Sequence, residues 1–367
     1  MPPYILPQGT GPYGTTLHTT ELVDTSRLDP FNSTHNRRLM ISTFTPLPLA
    51  QCNHTIVPYF PLAVAAAQNQ ILGEYDYPAI FGDFGLNVCL SRSENRNETR
   101  DRNFPLALLS PGLNTTRLFY SSLAQTLSSY GFLVVTLDHP YDVDVVQFPN
   151  GDIIYGGRVT KPADANGSTA SVEHALEVRA RDASFVLDVL GVREYGEALI
   201  FGQSFGGAAA ATAMLRDKRF RAGANLDGIM FGPVLNESLG VQVSPQAFLL
   251  WGSDGHNASA DSDSSWAAFW DTLEGAEFVD YAKEMSIINS AHGSYWDLNI
   301  LIDVAGIRDE LSETATWLVG PIPGERVWQI LVRGLSGFFW HMLGKRDEDE
   351  IFQGPVEELP EVRILHG

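Results

Sequence analysis

Ser204 lies in the pentapeptide Gly202-Gln203-Ser204-Phe205-Gly206, between an apolar run of strand type (Ala198-Leu199-Ile200-Phe201) and a small-residue run of helical type from Gly207 to Leu215. The flanks constrain the chain more than the pentapeptide does. A G-x-S-x-G between strand and helix predicts a nucleophile elbow, a turn so tight that glycine must flank the serine and the hydroxyl is pushed out over the sheet edge. The bland alternative is a glycine-rich strand–helix turn with an idle serine.

The surrounding pattern supports a layered α/β architecture. Leu106 to Leu109 and Phe132 to Leu137 are continuous apolar runs of buried-strand type, and Thr116 to Tyr130 between them has helical spacing closed by Gly131. Val172 to Leu190 is a long amphipathic stretch. Glu197 to Phe201, Ala222 to Leu226 and Ala247 to Trp251 continue the strands, with a helix over Phe205 to Arg216. Such alternation predicts right-handed crossovers and a mostly parallel sheet with helices on both faces. Thr15 to Val23 and Leu39 to Phe44 are read as early strands, Leu28 to Arg38 as a polar connection, and Tyr59 to Arg102 as irregular. With no repeat or long linker, residues 1–367 are expected to form one domain: N-terminal strands and an irregular region (1–100), a catalytic core (101–300) and a helical, acidic tail (301–367).

The chain of 367 residues is 44% hydrophobic and carries a formal charge of −20. That charge repels a phosphate backbone, so nucleic acid is not an expected partner. No apolar run reaches the roughly 18 residues of a membrane span. The first residues show no basic stretch leading into an apolar one, so no signal peptide is expected within this chain. Seven Asn-x-Ser/Thr sites, at Asn32, Asn53, Asn97, Asn114, Asn166, Asn236 and Asn257, nevertheless favour a secreted glycoprotein. The two cysteines, Cys52 and Cys89, fit one disulfide in that compartment, with roughly 3–4 kcal/mol of loop-closure stabilisation; free buried thiols in a cytosolic enzyme are the alternative. The aromatic run from Arg326 to Leu343 is read as a terminal helix packed on the sheet, or else as an interfacial surface for lipid or polymer.

A serine hydroxyl needs a base within hydrogen-bond reach, and the base needs an orienting acid. Where an elbow of this kind carries them, the chain order is Ser, Asp or Glu, then His. Four histidines follow residue 204. His366 is one residue from the end and His341 lies in the terminal helix. His292, in the small-residue loop Ser290-Ala291-His292-Gly293-Ser294, is preferred to its rival His256. For the acid, order alone leaves Asp227 and Asp254 even, since each follows a strand. The oxyanion donors expected are the N–H groups of Phe205, next to the nucleophile, and of Leu113, in the loop Ser110-Pro111-Gly112-Leu113-Asn114, where Pro111 cannot donate. Trp266, Phe269, Trp270 and Trp296 are candidates for pocket walls, with core packing the default for any one of them.

Several of these segments together resemble the plasma-type platelet-activating factor acetylhydrolases and their secreted microbial relatives. Gly202-Gln203-Ser204-Phe205-Gly206-Gly207 is similar to that family's G-H-S-F-G-G elbow, and Ser110-Pro111-Gly112-Leu113 to its S-H-G-L loop. Arg219-Phe220-Arg221 through Leu226-Asp227-Gly228-Ile229-Met230 is similar to its R-F-R…L-D-x-W-M segment. Leu22 to Arg27 and Asp138-His139-Pro140-Tyr141-Asp142 also resemble microbial members. The resemblance covers roughly residues 10 to 300. It implies an α/β-hydrolase fold, no metal or other cofactor, Ser204 as nucleophile, Asp227 as acid, His292 as base, and Leu113 and Phe205 as oxyanion donors. Gln203 and Pro111 replace two histidines of the pattern, which leaves leaving-group and acyl preference open. The implied activity is hydrolysis of short or oxidised acyl esters of phospholipids. A general carboxylesterase or polyesterase is the alternative within the class, and a non-catalytic binding protein on the same scaffold the alternative outside it.

Overall fold

The computed structural model describes residues 3–90, 103–259 and 261–367. Its centre is a nine-stranded sheet built from β1 (Tyr13–Leu28), β2 (Asn36–Pro48), β3 (Leu106–Ser110), β4 (Leu133–Asp138), β5 (Ala198–Gln203), β6 (Phe220–Leu226), β7 (Gln246–Gly252), β8 (Val279–Ile287) and β9 (Val362–His366). Their spatial order is β1-β2-β4-β3-β5-β6-β7-β8-β9. The six strands from β4 to β8 run parallel, while β1, β2 and β9 join the edges antiparallel.

The helices are α1 (Leu62–Gly73), α2 (Ser121–Ser129), α3 (Ala170–Val189), α4 (Phe205–Arg216), α5 (Ser264–Leu273), α6 (Leu298–Ala305), α7 (Glu313–Val319) and α8 (Gly324–Met342). Continuous apolar strands are explained by two buried faces. In β5, Leu199 and Phe201 join one core with α2, α6 and α8, while Ala198 and Ile200 join another with α3, α4 and α5. Beside the main sheet, Tyr4–Ile5, His54–Pro58 and Phe84–Cys89 form a small sheet. A disulfide between Cys52 and Cys89 ties it together.

Two sequence expectations change here. The segment 59–102 is not irregular throughout, because α1 and the strand Phe84–Cys89 lie within it; residues 91–102 fall outside the described residues. The connection expected over 28–38 shrinks, because β1 runs through Leu28 and β2 begins at Asn36. Polarity hid that pairing. Arg37 is fully buried in β2, bonded to Asp29 at 2.9 Å and to Asp182 of α3 at 2.7 Å, so a charged residue occupies a core strand position through its partners. The aromatic run of α8 is core: Trp328, Phe338 and Phe339 are buried. Among the described residues, no helix is long and apolar enough to cross a membrane.

Register positions the site. Gly202 of β5 is level with Ser110 at the end of β3 and with Asn225 near the end of β6. The loops that leave these strands therefore meet at one edge, the carboxyl ends, where parallel sheets gather their ligands.

Candidate active site

Ser204 occupies the turn between β5 and α4 with φ 57° and ψ −128°, a conformation that costs a non-glycine residue of order 1–3 kcal/mol. The Ser204 N–H donates to Leu226 O at 2.7 Å, which pins the bend. Its two glycines are steric requirements. A Cβ on Gly206 would stand 2.0 Å from Ser110 O, and one on Gly202 2.4 Å from the same atom.

His292 begins a short 3₁₀ turn, His292–Tyr295, in the loop after β8. Its Nε2 lies 2.9 Å from Ser204 Oγ and its Nδ1 2.7 Å from Asp227 Oδ2. In the tautomer this chain of contacts needs, Nδ1–H donates to the carboxylate and Nε2 accepts from the hydroxyl. Asp227 follows β6 in the left-handed region, φ 63°, and is buried. The other rival acid, Asp254, is exposed and accepts the Asn289 N–H at 2.9 Å, bracing the loop that leads to His292 without touching the ring.

His256 also reaches the cluster, from the opposite side. Its Nδ1 is 2.7 Å from Asp227 Oδ1 and its Nε2 2.9 Å from Asp263 Oδ2, and its ring lies 4.1 Å from that of Trp266. Asp227 Oδ1 accepts the Ser253 N–H as well, at 2.6 Å. Burial opposes charge on Asp227, yet the bonds to His256 and His292 hold its carboxyl well below the usual carboxylate range. Burial likewise opposes charge on His256, but its two carboxylate partners raise it from 6.5 to about 9, so it stands as a cation on the acid at neutral pH. No sequence motif marks this second histidine.

Phe205 is the first residue of α4, where N–H groups lack intrahelical partners and the helix dipole is positive. Among the described residues the Leu113 N–H has no acceptor. Gly112 N donates to Tyr120 Oη at 3.0 Å, Tyr120 Oη donates to Gln203 Oε1 at 3.0 Å, and Gln203 Nε2 donates to His292 O at 3.1 Å. Gln203 thus links the loop after β3 to the histidine loop.

A cavity of about 700 Å³ opens over Ser204. Ile71, Leu72 and Tyr75, from α1 and the turn after it, line it together with Leu113, Phe231, Trp296 and Leu318; Glu74 and Lys161 add charge to the lining. Of the four expected aromatic liners only Trp296 faces the cavity. Trp266, Phe269 and Trp270 lie on the buried face of α5, and the Trp266 indole N–H donates to Gly228 O at 2.6 Å. The α1 contribution is missed in sequence, although Pro61 followed by the alanine-rich run 63–67 is a helix-start signal.

The sheet order and the elbow define an α/β-hydrolase. The family model described as platelet-activating factor acetylhydrolase, isoform II, matches residues 61–145 and 188–302. A probable 1-alkyl-2-acetylglycerophosphocholine esterase of Arthroderma benhamiae is 37% identical over 99% of this chain and 94% of its own length. The platelet-activating factor acetylhydrolase of Bos taurus is 26% identical over 43% of this chain and 42% of its own. In fold, a ferulic acid esterase from Streptomyces cinnamoneus superposes with a TM-score of 0.76 at 23% identity over 99% of both chains. The chain belongs to the platelet-activating factor acetylhydrolase, isoform II, family and is an ester hydrolase.

The asparagines of the seven expected glycosylation sites differ in setting. Asn53, Asn114, Asn166 and Asn236 are exposed. Asn32 and Asn257 are half-buried, and their amide nitrogens donate to Tyr141 Oη at 2.9 Å and to Gly255 O at 3.3 Å. Asn97 lies outside the described residues.

Proposed function

We propose that this protein cleaves short or oxidised acyl esters of glycerophospholipids through an acyl-serine intermediate, with Ser204 as nucleophile, His292 as base and Asp227 as acid. The observation that carries the reading is the unbroken contact chain Ser204 Oγ–His292–Asp227, at 2.9 and 2.7 Å, whose serine and histidine line the cavity. As Ser204 Oγ attacks the ester carbonyl, its proton passes to His292 Nε2. Buried Asp227 stabilises the imidazolium, and the N–H groups of Leu113 and Phe205 receive the developing oxyanion. The imidazolium then protonates the leaving alcohol. Water, deprotonated by His292, releases the acyl group and restores the serine.

The substrate class rests on the fungal relative's name, together with a largely apolar cavity that holds charged side chains. The disulfide and the exposed Asn-x-Ser/Thr sites support a secreted protein. The test is a hydrolysis panel of acetyl-glycerophosphocholine ether, long-chain phosphatidylcholine, p-nitrophenyl esters and a polyester film, with fluorophosphonate labelling in parallel. The expected result is preference for the acetyl phospholipid and labelling that Ser204→Ala abolishes. Polyester cleavage with no phospholipid turnover would replace the substrate reading. Native protein that takes no label would return the scaffold to a binding role.

A further inference from the structure

Beneath the loop after β3 lies a sealed layer of charge that the reaction does not touch. Arg179, on α3 and only 1% exposed, donates through Nε and Nη2 to Asp142 at 2.7 and 2.6 Å. The same guanidinium donates to Ser110 Oγ at 3.1 Å, to Pro111 O, and to Gly112 O at 3.3 Å, and it stacks 4.7 Å from the Phe205 ring centroid. Ser110 Oγ in turn lies 3.0 Å from His139 Nε2, and His139 Nδ1 2.8 Å from Asp182. This is a second Ser–His–Asp chain, but all three members are buried and no substrate reaches them, so its work is to hold the loop.

We propose that Arg179 is the positioning residue of the oxyanion hole, fixing both donors at once. The inference rests on the Ser204 reading above. In a trans peptide the C=O and the following N–H point in opposite directions, and among the described residues there is no cis peptide bond. With Gly112 O held by Arg179 below, the Leu113 N–H must point away from the guanidinium, to the side that lines the cavity. The neighbouring peptide obeys the same rule: Pro111 O faces Arg179 and the Gly112 N–H faces Tyr120 Oη. The guanidinium face against Phe205 restrains the residue that carries the second donor. Asp142 anchors the assembly twice, by its carboxylate on Arg179 and by its backbone O, which accepts the Asn114 N–H at 3.2 Å.

The test compares wild type, Arg179→Lys and Arg179→Met in kcat and KM for p-nitrophenyl acetate, in Ki for a trifluoromethyl ketone that forms a tetrahedral adduct, and in pH–rate profile. Losing one oxyanion donor lowers kcat by roughly 10²–10³. Arg179→Met is expected to fall into that range with KM nearly unchanged. The ketone should weaken by the same factor and the pH profile keep its shape. Arg179→Lys, which retains the cation but not the fork, should fall between. Should Arg179→Met not fold, Asp142→Asn loosens the guanidinium without removing it and should move kcat and Ki together by a smaller factor. A kcat loss with Ki unmoved, a loss confined to KM, or no loss overturns the proposal. Wild-type protein without turnover, run beside Ser204→Ala, overturns the Ser204 reading and this one together; turnover that is intact but insensitive to Arg179 overturns only this one.

Discussion

His256→Gln should remove a pH-dependent part of the stability without removing the reaction. The imidazole sits between Asp227 and Asp263, at 2.7 and 2.9 Å, with its side chain 18% exposed, so solvent screens the pair little. Folding raises its proton affinity from 6.5 to about 9. A raised cation contributes its full stabilisation below 6.5 and loses it as pH rises through about 9. Across that window the native state holds one more proton than the unfolded chain, and stability falls by about 1.4 kcal/mol per pH unit, or about 3 kcal/mol in all. Glutamine can still donate to Asp227 but binds no proton. Urea denaturation of both proteins at pH 6, 7, 8 and 9.5 gives the difference directly, because every other titrating group cancels to first order. The wild type should lead by about 3 kcal/mol at pH 6, and the lead should close by pH 9.5. A difference that is flat or widens with pH would refute a charged His256. Asp227 keeps its other oxygen on His292, so the variant should retain far more kcat than His292→Ala.

Asp227→Asn should lower kcat by about three to four orders of magnitude, since the amide favours the wrong His292 tautomer, whereas Asp254→Asn should lower it less than about tenfold; steady-state kinetics decides, and the reverse ranking would exchange their roles. Gly206→Ala would improve helix propensity in isolation, but its Cβ stands 2.0 Å from Ser110 O; thermal melts should show about 1–3 kcal/mol lost, and activity should fall with it as the oxyanion loop is displaced. Replacing Cys52 and Cys89 by serine opens a link spanning 37 residues and should cost about 4 kcal/mol in chemical denaturation.

The legible parts of this chain were those whose signal is local. Apolar runs such as Leu106 to Leu109 announce a strand buried on both faces, and the elbow is written in five consecutive residues because its turn excludes any Cβ at Gly202 and Gly206. Asp227 and Asp254 were indistinguishable by order, since each follows a strand; only the resemblance separated them. What failed depends on distant partners. Arg37 sits at a core strand position because Asp182 comes to it from 145 residues away, so a hydropathy pattern reads the start of its strand, residues 36–38, as a loop. Tyr120 meets Gln203 across 83 residues, and nothing near either one announces the bond. Trp266, Phe269 and Trp270 looked as suited to a pocket as Trp296 does, because aromatic content carries no direction. Only the course of α5 turns them inward.

Phe339 of α8 closes on Phe132 and Phe201, with ring centroids 6.0 and 5.6 Å apart. Those two partners are translated well over a hundred residues earlier, and until α8 emerges their side of the sheet is covered only in part, by α2 and α6. A nascent chain therefore carries a partly bare hydrophobic surface until α8 has left the ribosome, and a version stopped before Gly324 would keep every reactive group while lacking one wall of its interior. Such a fragment should aggregate or be captured by chaperones, which makes α8 a gatekeeper of maturation.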